Sequence, residues 1–243
     1  MIIIESKENS LFKNVKKLKE RKNRAREKKY IIEGFRLVEE GFKAGADIEC
    51  LIIEEGNEQK ANEFLKDYLT ASKVYLMKKS LFSQLIATEN TQGVLAVVNM
   101  NNSTEEIKGD FYLLCDKVQD PGNLGTIIRT AHAAGASGIR STMGSVFYLP
   151  IIYDNDLSFL KKLKEDGFSL VTTSLQESKN FFEEDLRGKV ILGVGNEGNG
   201  ISDEIFAMSD KKVKIPMPGG AESLNVAVAS SIILFEKVRQ GMR

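Results

Sequence analysis

The 243 residues, 42% hydrophobic and 28% charged, suffice for one large or two small domains with real cores, and exclude a disordered or fibrous chain. Thirty-four Lys and Arg balance 34 Asp and Glu, so total charge singles out no acidic or basic partner. Cys50 and Cys115 lack any CxxC spacing and His132 is the sole histidine, which excludes a histidine-based zinc site and weakens any His-dependent triad.

Met1 to Glu5 is apolar but turns polar and basic at once, unlike a signal peptide, and no apolar run reaches membrane-spanning length. A cytoplasmic protein without membrane or metal partners is expected. Ile2 to Ile4 reads as a strand and Asn9 to Glu20 as a helix, with Leu11, Phe12, Val15 and Leu18 on one face. From Lys13 to Lys29 the charges are almost all positive, against only Glu20 and Glu27. A run of one sign is often a solvated face. Inside a neutral chain it predicts a phosphate-contacting surface, here assigned to Lys16, Lys17, Arg21 and Arg24.

Strands are expected at Tyr30 to Glu33, Ile48 to Ile53, Val74 to Met77 and Gly93 to Val98. Helices are expected at Phe35 to Ala44, Asn57 to Leu69 and Ser80 to Ile86. This alternation predicts a small α/β/α domain over residues 1–99. Asn99 to Asp110 is polar and aperiodic, placing a linker at 100–109 and a second α/β domain at 110–243. In that domain the pattern gives strands at Phe111 to Cys115, Val146 to Leu149, Ser169 to Thr172, Val190 to Val194 and Lys212 to Ile215. Helices are expected at Leu124 to Ala134, Asp156 to Asp166, Lys179 to Asp185, Ser202 to Met208 and Leu224 to Val238.

Three strand ends carry Gly- or Pro-rich loops. The first, Asp116 to Gly125, leads into a helix bearing Arg129 among small apolar residues. Asn123 stands where an N-cap could, and a lone arginine on an apparently buried face requires an anionic partner, phosphate or carboxylate. The second, Gly193 to Gly200, contains a literal GxGxxG. A dinucleotide site is rejected because Glu197 would repel a pyrophosphate and no acidic residue ends the next strand. What remains is a loop with free backbone amides and one carboxylate. The third, Ile215 to Val226, holds Pro216, Pro218, Gly219 and Gly220, with Ser223 at the expected N-cap. Alone, it reads equally as an ordinary strand–turn–helix connection. Three such loops on one edge of a parallel sheet predict a cofactor site.

In order and spacing these blocks resemble the SpoU (TrmH-type) RNA ribose 2′-O-methyltransferases of the SPOUT superfamily. The likeness rests on Asp120-Pro121-Gly122-Asn123-Leu124-Gly125 with Arg129, Gly195-Asn196-Glu197-Gly198 with Gly200, and Ile215-Pro216-Met217 with Ser223-Leu224-Asn225. Ile32-Glu33-Gly34 and the helix after it resemble, more weakly, the L30e-like RNA-binding domain that precedes the catalytic domain in many members. The resemblance implies a knotted parallel-sheet domain (a trefoil knot), a homodimer, and S-adenosylmethionine as cofactor. It implies methyl transfer to a ribose 2′-hydroxyl, in ribosomal RNA in preference to tRNA. It assigns Asn123, Arg129, Glu197, Ser223 and Asn225 to catalysis. Gly195, Gly198, Ile215, Met217 and Leu224 go to the cofactor, and Arg140 joins the RNA-binding residues. The competing reading is a catalytically silent RNA-binding dimer.

Between Gly138 and Ser141 only Ile139 is apolar before the chain becomes Arg140-Ser141-Thr142-Met143. A β-element is therefore expected to be cut short there. On this reading a substrate-contacting loop on the order of 15 residues is absent from the numbering.

Overall fold

The computed structural model describes residues 2–86, 91–100, 109–141, 149, 151–152, 154, 156–174 and 178–242, with the side chains of 138–141 outside that set. The chain forms two compact units, Met1–Asn102 and Ser103–Arg243.

The first unit runs β1 (Ile2–Ile4), α1 (Ser10–Lys17), α2 (Arg21–Glu27), β2 (Lys29–Glu33), α3 (Phe35–Lys43) and β3 (Ile48–Glu54). It continues through α4 (Glu58–Leu69), β4 (Val74–Met77), α5 (Lys79–Phe82) and β5 (Val94–Asn99). The sheet order is β1-β4-β3-β5-β2. β5 runs antiparallel to both β3 and β2, and the other pairs are parallel. Phe12, Val15, Leu81 and Phe82 cover one face over Ile52 and Leu95. α3 and α4 pack on β2, β5 and β3, and their Phe35 and Phe64 rings stack at 5.4 Å. The α/β/α layering follows from apolar side chains on both sheet faces.

The expected helix from Asn9 to Glu20 is in fact two. Asn9 Oδ1 accepts from Leu11 N at 2.9 Å and starts α1, which stops at Lys17. Arg24 then donates to the carbonyls of Leu18 (3.0 Å) and Lys19 (2.7 Å), tying α2 to the end of α1. α2 has no buried residue, so no apolar period announced it.

The second unit runs β6 (Phe111–Cys115), α6 (Pro121–Ala133), β7 (Gly138–Ser141), β8 (Ile151–Ile152), α7 (Ser158–Glu165) and β9 (Ser169–Thr173). It continues through β10 (Lys179–Asn180), a 3-10 turn (Phe181–Glu183), β11 (Val190–Val194), α8 (Asp203–Ala207), β12 (Lys211–Lys214) and α9 (Val226–Gly241). All seven strands are parallel, in the order β10-β12-β9-β11-β6-β7-β8. One face buries Leu113, Leu192 and Val213 with Ile127, Ile128, Ile233 and Leu234 of α6 and α9. The other buries Tyr112, Leu114 and Ile191 with Phe159, Leu160, Leu163 and Ile205 of α7 and α8. Burial on both faces is why β6 and β11 read as unbroken apolar runs.

Four expectations about the elements of this unit fail. Lys179 to Asp185 is not a helix: β10 pairs with β12, and Asn180 Oδ1 accepts from Phe182 N at 3.2 Å to start the 3-10 turn. α6 begins at Pro121, because Asp120 Oδ1 accepts from Asn123 N at 2.7 Å and is the cap. α9 is capped by Asn225, whose Oδ1 accepts from Ala227 N at 2.9 Å, and not by Ser223. Gly138–Ser141 is one continuous strand in unbroken register with Tyr112 to Cys115, and it carries β8 on its other edge. Ile139 and Arg140 are thus successive residues of a paired strand, and the β-element expected to stop at Ile139 continues through Ser141. Most of the Val146 to Leu149 strand, most of the 100–109 linker and the Arg140 side chain lie outside the described residues.

Candidate active site

β6, β11 and β12 end in the loops 116–120, 195–200 and 215–225. Each loop is fixed by a side chain. Asp116, buried at 7% exposure, accepts from Ser202 N at 2.6 Å and ties the first loop to the start of α8, just after the second. Lys117 takes the left-handed conformation (φ 55°), uncommon for a side-chain-bearing residue, and turns the chain toward Gln119. In the second loop Asn196 and Gly200 exchange backbone hydrogen bonds, both at 2.9 Å. A Cβ at position 195 would lie 2.1 Å from the Gly200 carbonyl carbon, so only glycine fits.

The amides of this loop are not free, contrary to expectation. Asn196 Oδ1 accepts from Gly198 N (2.8 Å) and Asn199 N (3.1 Å). The GxGxxG string is a closed turn with no open anion cradle, which agrees with rejecting a dinucleotide.

Glu197 leaves this turn and bridges to the first loop. Its Oε1 accepts from Asn123 Nδ2 at 3.0 Å and Asp120 N at 3.3 Å, and its Oε2 from Gln119 N at 3.3 Å. The Asn123 amide chiefly, with backbone amides including those of Gln119 and Asp120, holds the Glu197 carboxyl below the usual glutamate range. Because Asp120 supplies the α6 cap, both ends of the Asn123 amide are available. Its Oδ1 accepts from Asn225 Nδ2 at 2.9 Å. Glu197, Asn123 and Asn225 therefore form one hydrogen-bonded row across three loops. This row orients two amides against one carboxylate, a polar surface suited to holding a hydroxyl and its departing proton.

The other expected residues distribute differently. Arg129 is exposed on α6 rather than buried, and no ion pair engages it among the described residues. The burial argument for it was wrong: Ile127 and Ile128 face the core and Arg129 faces out. Ser223 is exposed and stands outside the row. Ile215, Met217 and Leu224 are each half-buried, and the 215–224 loop shows one internal backbone hydrogen bond, Gly220 N to Met217 O at 3.0 Å. Half-exposed apolar side chains beside uncommitted backbone groups fit a flat heteroaromatic ring with polar edges, as in an adenosyl group.

In the first unit Lys17 and Arg21 are exposed. Lys16 donates to Gln84 Oε1 at 3.2 Å, and Arg24 is committed to capping α1. Sequence reasoning missed Asp116 and Asp120 as organisers of the site, and missed Asn196, although an Asn two residues before a glycine, as in Asn196-Glu197-Gly198, is open to an Asx turn. Among the described residues no cluster of His, Cys, Asp and Glu could hold a metal, and no helix is long and apolar enough to cross a membrane.

Comparison with known proteins accords with this geometry. Residues 110–235 match the SpoU rRNA Methylase family, and residues 9–96 match the MRM3-like substrate binding domain. The 23S rRNA (guanosine(2553)-2′-O)-methyltransferase RlmP of Bacillus subtilis is 34% identical over 96% of this chain and 97% of its own. The tRNA (guanosine(18)-2′-O)-methyltransferase of Aquifex aeolicus is 40% identical, but over 56% of this chain and 72% of its own. The crystal structure of an AdoMet-bound rRNA methyltransferase from Sinorhizobium meliloti superposes with a TM-score of 0.82 at 31% identity, covering 98% of each chain.

Proposed function

The chain belongs to the SpoU rRNA methylase family, and from that premise we propose that it transfers a methyl group from S-adenosylmethionine to a ribose 2′-hydroxyl of ribosomal RNA. The observation that carries this reading is the Glu197–Asn123–Asn225 row, which joins the loops of β6, β11 and β12 at one point. Residues 1–99 are the RNA substrate-binding domain, 100–109 the linker and 110–243 the methyltransferase domain. The choice of ribosomal RNA rests on coverage. The rRNA-acting relative aligns through both units, whereas the tRNA-acting relative aligns over little more than half of the chain.

The sulfonium methyl of the cofactor is already activated, so the protein must align the hydroxyl and let its proton leave. Backbone groups of Gly195, Ile215 and Leu224, the carbonyl of Gly198, whose amide is bonded to Asn196, and the Met217 side chain hold the cofactor. Asn123 and Asn225 present amides to the ribose, Glu197 fixes their orientation, and Ser223 offers a further hydroxyl. Arg129 serves as the phosphate clamp: its planar guanidinium fork binds phosphate in bidentate fashion. Lys17 and Arg21 of the first unit bind RNA phosphates through that unit's own surface, and Arg140 is assigned to RNA binding as well.

The second unit is threaded as a trefoil knot, a reading supported by its likeness to the solved methyltransferase. The protein acts as a homodimer. α9 supports this by exposing Val228, Ile232 and Phe235 in one stripe, at 48%, 36% and 49%. Two buried, unpaired cysteines suit a reducing cytoplasm.

The test is methyl transfer from labelled S-adenosylmethionine to deproteinised 23S rRNA and, separately, to bulk tRNA. Label in the rRNA as a ribose 2′-O-methyl nucleotide is expected. RNA binding without cofactor binding by calorimetry would establish the silent RNA-binding dimer instead.

A further inference from the structure

Asn196 makes more hydrogen bonds than any residue assigned above to catalysis, and its side chain spends all of those it makes on backbone groups of the two loops. Its Oδ1 accepts from the amides of Gly198 and Asn199 at 2.8 and 3.1 Å, and its backbone closes the turn with Gly200. Its Nδ2 leaves the turn and donates at 3.0 Å to the carbonyl of Lys117, 79 positions earlier. Lys117 is the residue whose left-handed conformation sends the chain toward Gln119 and Asp120. The amides of those two residues are the ones Glu197 accepts. One side chain thus fixes the turn that carries Glu197 and the loop that Glu197 must meet.

We propose that Asn196 is a positioning residue for methyl transfer: its strut to the Lys117 carbonyl sets the separation of the two loops, so that Glu197 reaches and orients the Asn123 amide. The inference rests on the methyltransferase reading of this site. Loop separation matters because a shift of about 1 Å in a positioned group can cost a hundredfold in rate. Glu197 is exposed, so no packed core would hold it in place without the strut.

The two roles of Asn196 are separable by substitution. Asn196→Asp keeps an oxygen for the Gly198 and Asn199 amides but sets a carboxylate oxygen against the Lys117 carbonyl. Asn196→Ser also accepts locally, through its hydroxyl, and falls short of Lys117. The parent protein, both variants and Glu197→Gln are to be compared by thermal melting, S-adenosylmethionine calorimetry and steady-state methylation of deproteinised 23S rRNA. The expected result for Asn196→Asp, or for Asn196→Ser should the aspartate variant fail to fold, is a kcat lowered at least about tenfold. Melting, cofactor Kd and the KM for RNA should stay near the parent's. A parental kcat in a folded Asn196 variant, with Glu197→Gln impaired, overturns the strut alone. Equal losses in cofactor binding and kcat also overturn it, by moving the role of Asn196 to the cofactor loop. Parental turnover in Glu197→Gln overturns the reading of the site itself, and the strut with it.

Discussion

The Asn225 carboxamide nitrogen lies 2.9 Å from the Asn123 carboxamide oxygen, joining residues 102 positions apart, while the Asn225 oxygen caps α9. One side chain thus serves both the helix and the site, and the two uses can be separated. Asn225→Ser keeps a capping oxygen and loses the reach to Asn123. It should melt near the parent temperature yet lose most methyl transfer. Asn225→Ala loses the cap as well and should cost about 1 kcal/mol of stability. Denaturant unfolding with a parallel methylation assay checks both. Full turnover in the serine variant would detach Asn225 from the chemistry.

Arg129 is exposed and has no ion-pair partner among the described residues, so removing it breaks nothing in the fold. Arg129→Ala should leave melting within the range of ordinary surface substitutions, about 0.5 kcal/mol, and leave cofactor affinity intact. Methyl transfer should fall by orders of magnitude. Arg129→Lys should remain poor, because a point charge does not replace a planar fork. A matching loss of cofactor binding would refute the phosphate-clamp role.

Most strands and the three site loops were legible because apolar runs and Gly or Pro breaks set them locally. Both caps at the site were misplaced by two or three residues, Asn123 for Asp120 and Ser223 for Asn225. Several polar residues in a row can each supply the oxygen, and the backbone turn decides among them. The outward position of Arg129 was not legible, since a neighbourhood of small apolar residues in sequence does not say which way a helix turns a side chain. α2 was hidden because its stabilisation comes from Arg24 capping α1, which leaves no hydrophobic period. The strut from Asn196 to Lys117 spans 79 positions, and no local pattern encodes it.

The basic run divides by what its side chains already do. Lys17 and Arg21 are exposed, whereas Arg24 satisfies two carbonyls at the end of α1. Lys17→Glu with Arg21→Glu should weaken RNA binding, flatten its salt dependence, and leave stability and cofactor binding unchanged. Arg24→Glu should destabilise the first unit instead, by about 1 kcal/mol or more for two lost charge-assisted bonds. Filter binding over a salt series, with melting of each variant, separates the two. An unchanged salt slope in the double reversal would remove the phosphate contact.

Both cysteines should be inert in the native protein. Burial is the first cause in each case: it pushes the Cys115 thiol up to about 12 and the Cys50 thiol up to about 11, the latter with help from Glu49. A raised thiol pKa keeps the neutral form, which is neither nucleophile nor ready metal ligand, through the physiological range. At pH 8 a thiol-disulfide reagent should titrate no fast thiol in the folded protein and two after denaturation. A fast native thiol would show that one of the two sites opens readily.

α9 separates its core-facing and outward residues cleanly enough to test the dimer without unfolding the subunit. Ile233 and Leu234 are buried in the core, whereas Val228, Ile232 and Phe235 form an apolar stripe on the outside at helical spacing. Isolated exposed apolar residues are common, but three in one stripe on a single helix make a contiguous patch of the kind that marks an interface. A stable protein interface buries about 800 Å² per partner, so the patch must be the centre of a larger surface. A charge placed at that centre is desolvated without a partner and should prevent association. Phe235→Asp is therefore expected to halve the sedimentation mass while far-ultraviolet circular dichroism stays that of the folded protein. Its melting temperature should fall and lose its dependence on protein concentration, as linkage to association requires. A parental sedimentation mass in the folded Phe235→Asp variant would place the dimer interface, if any, away from α9.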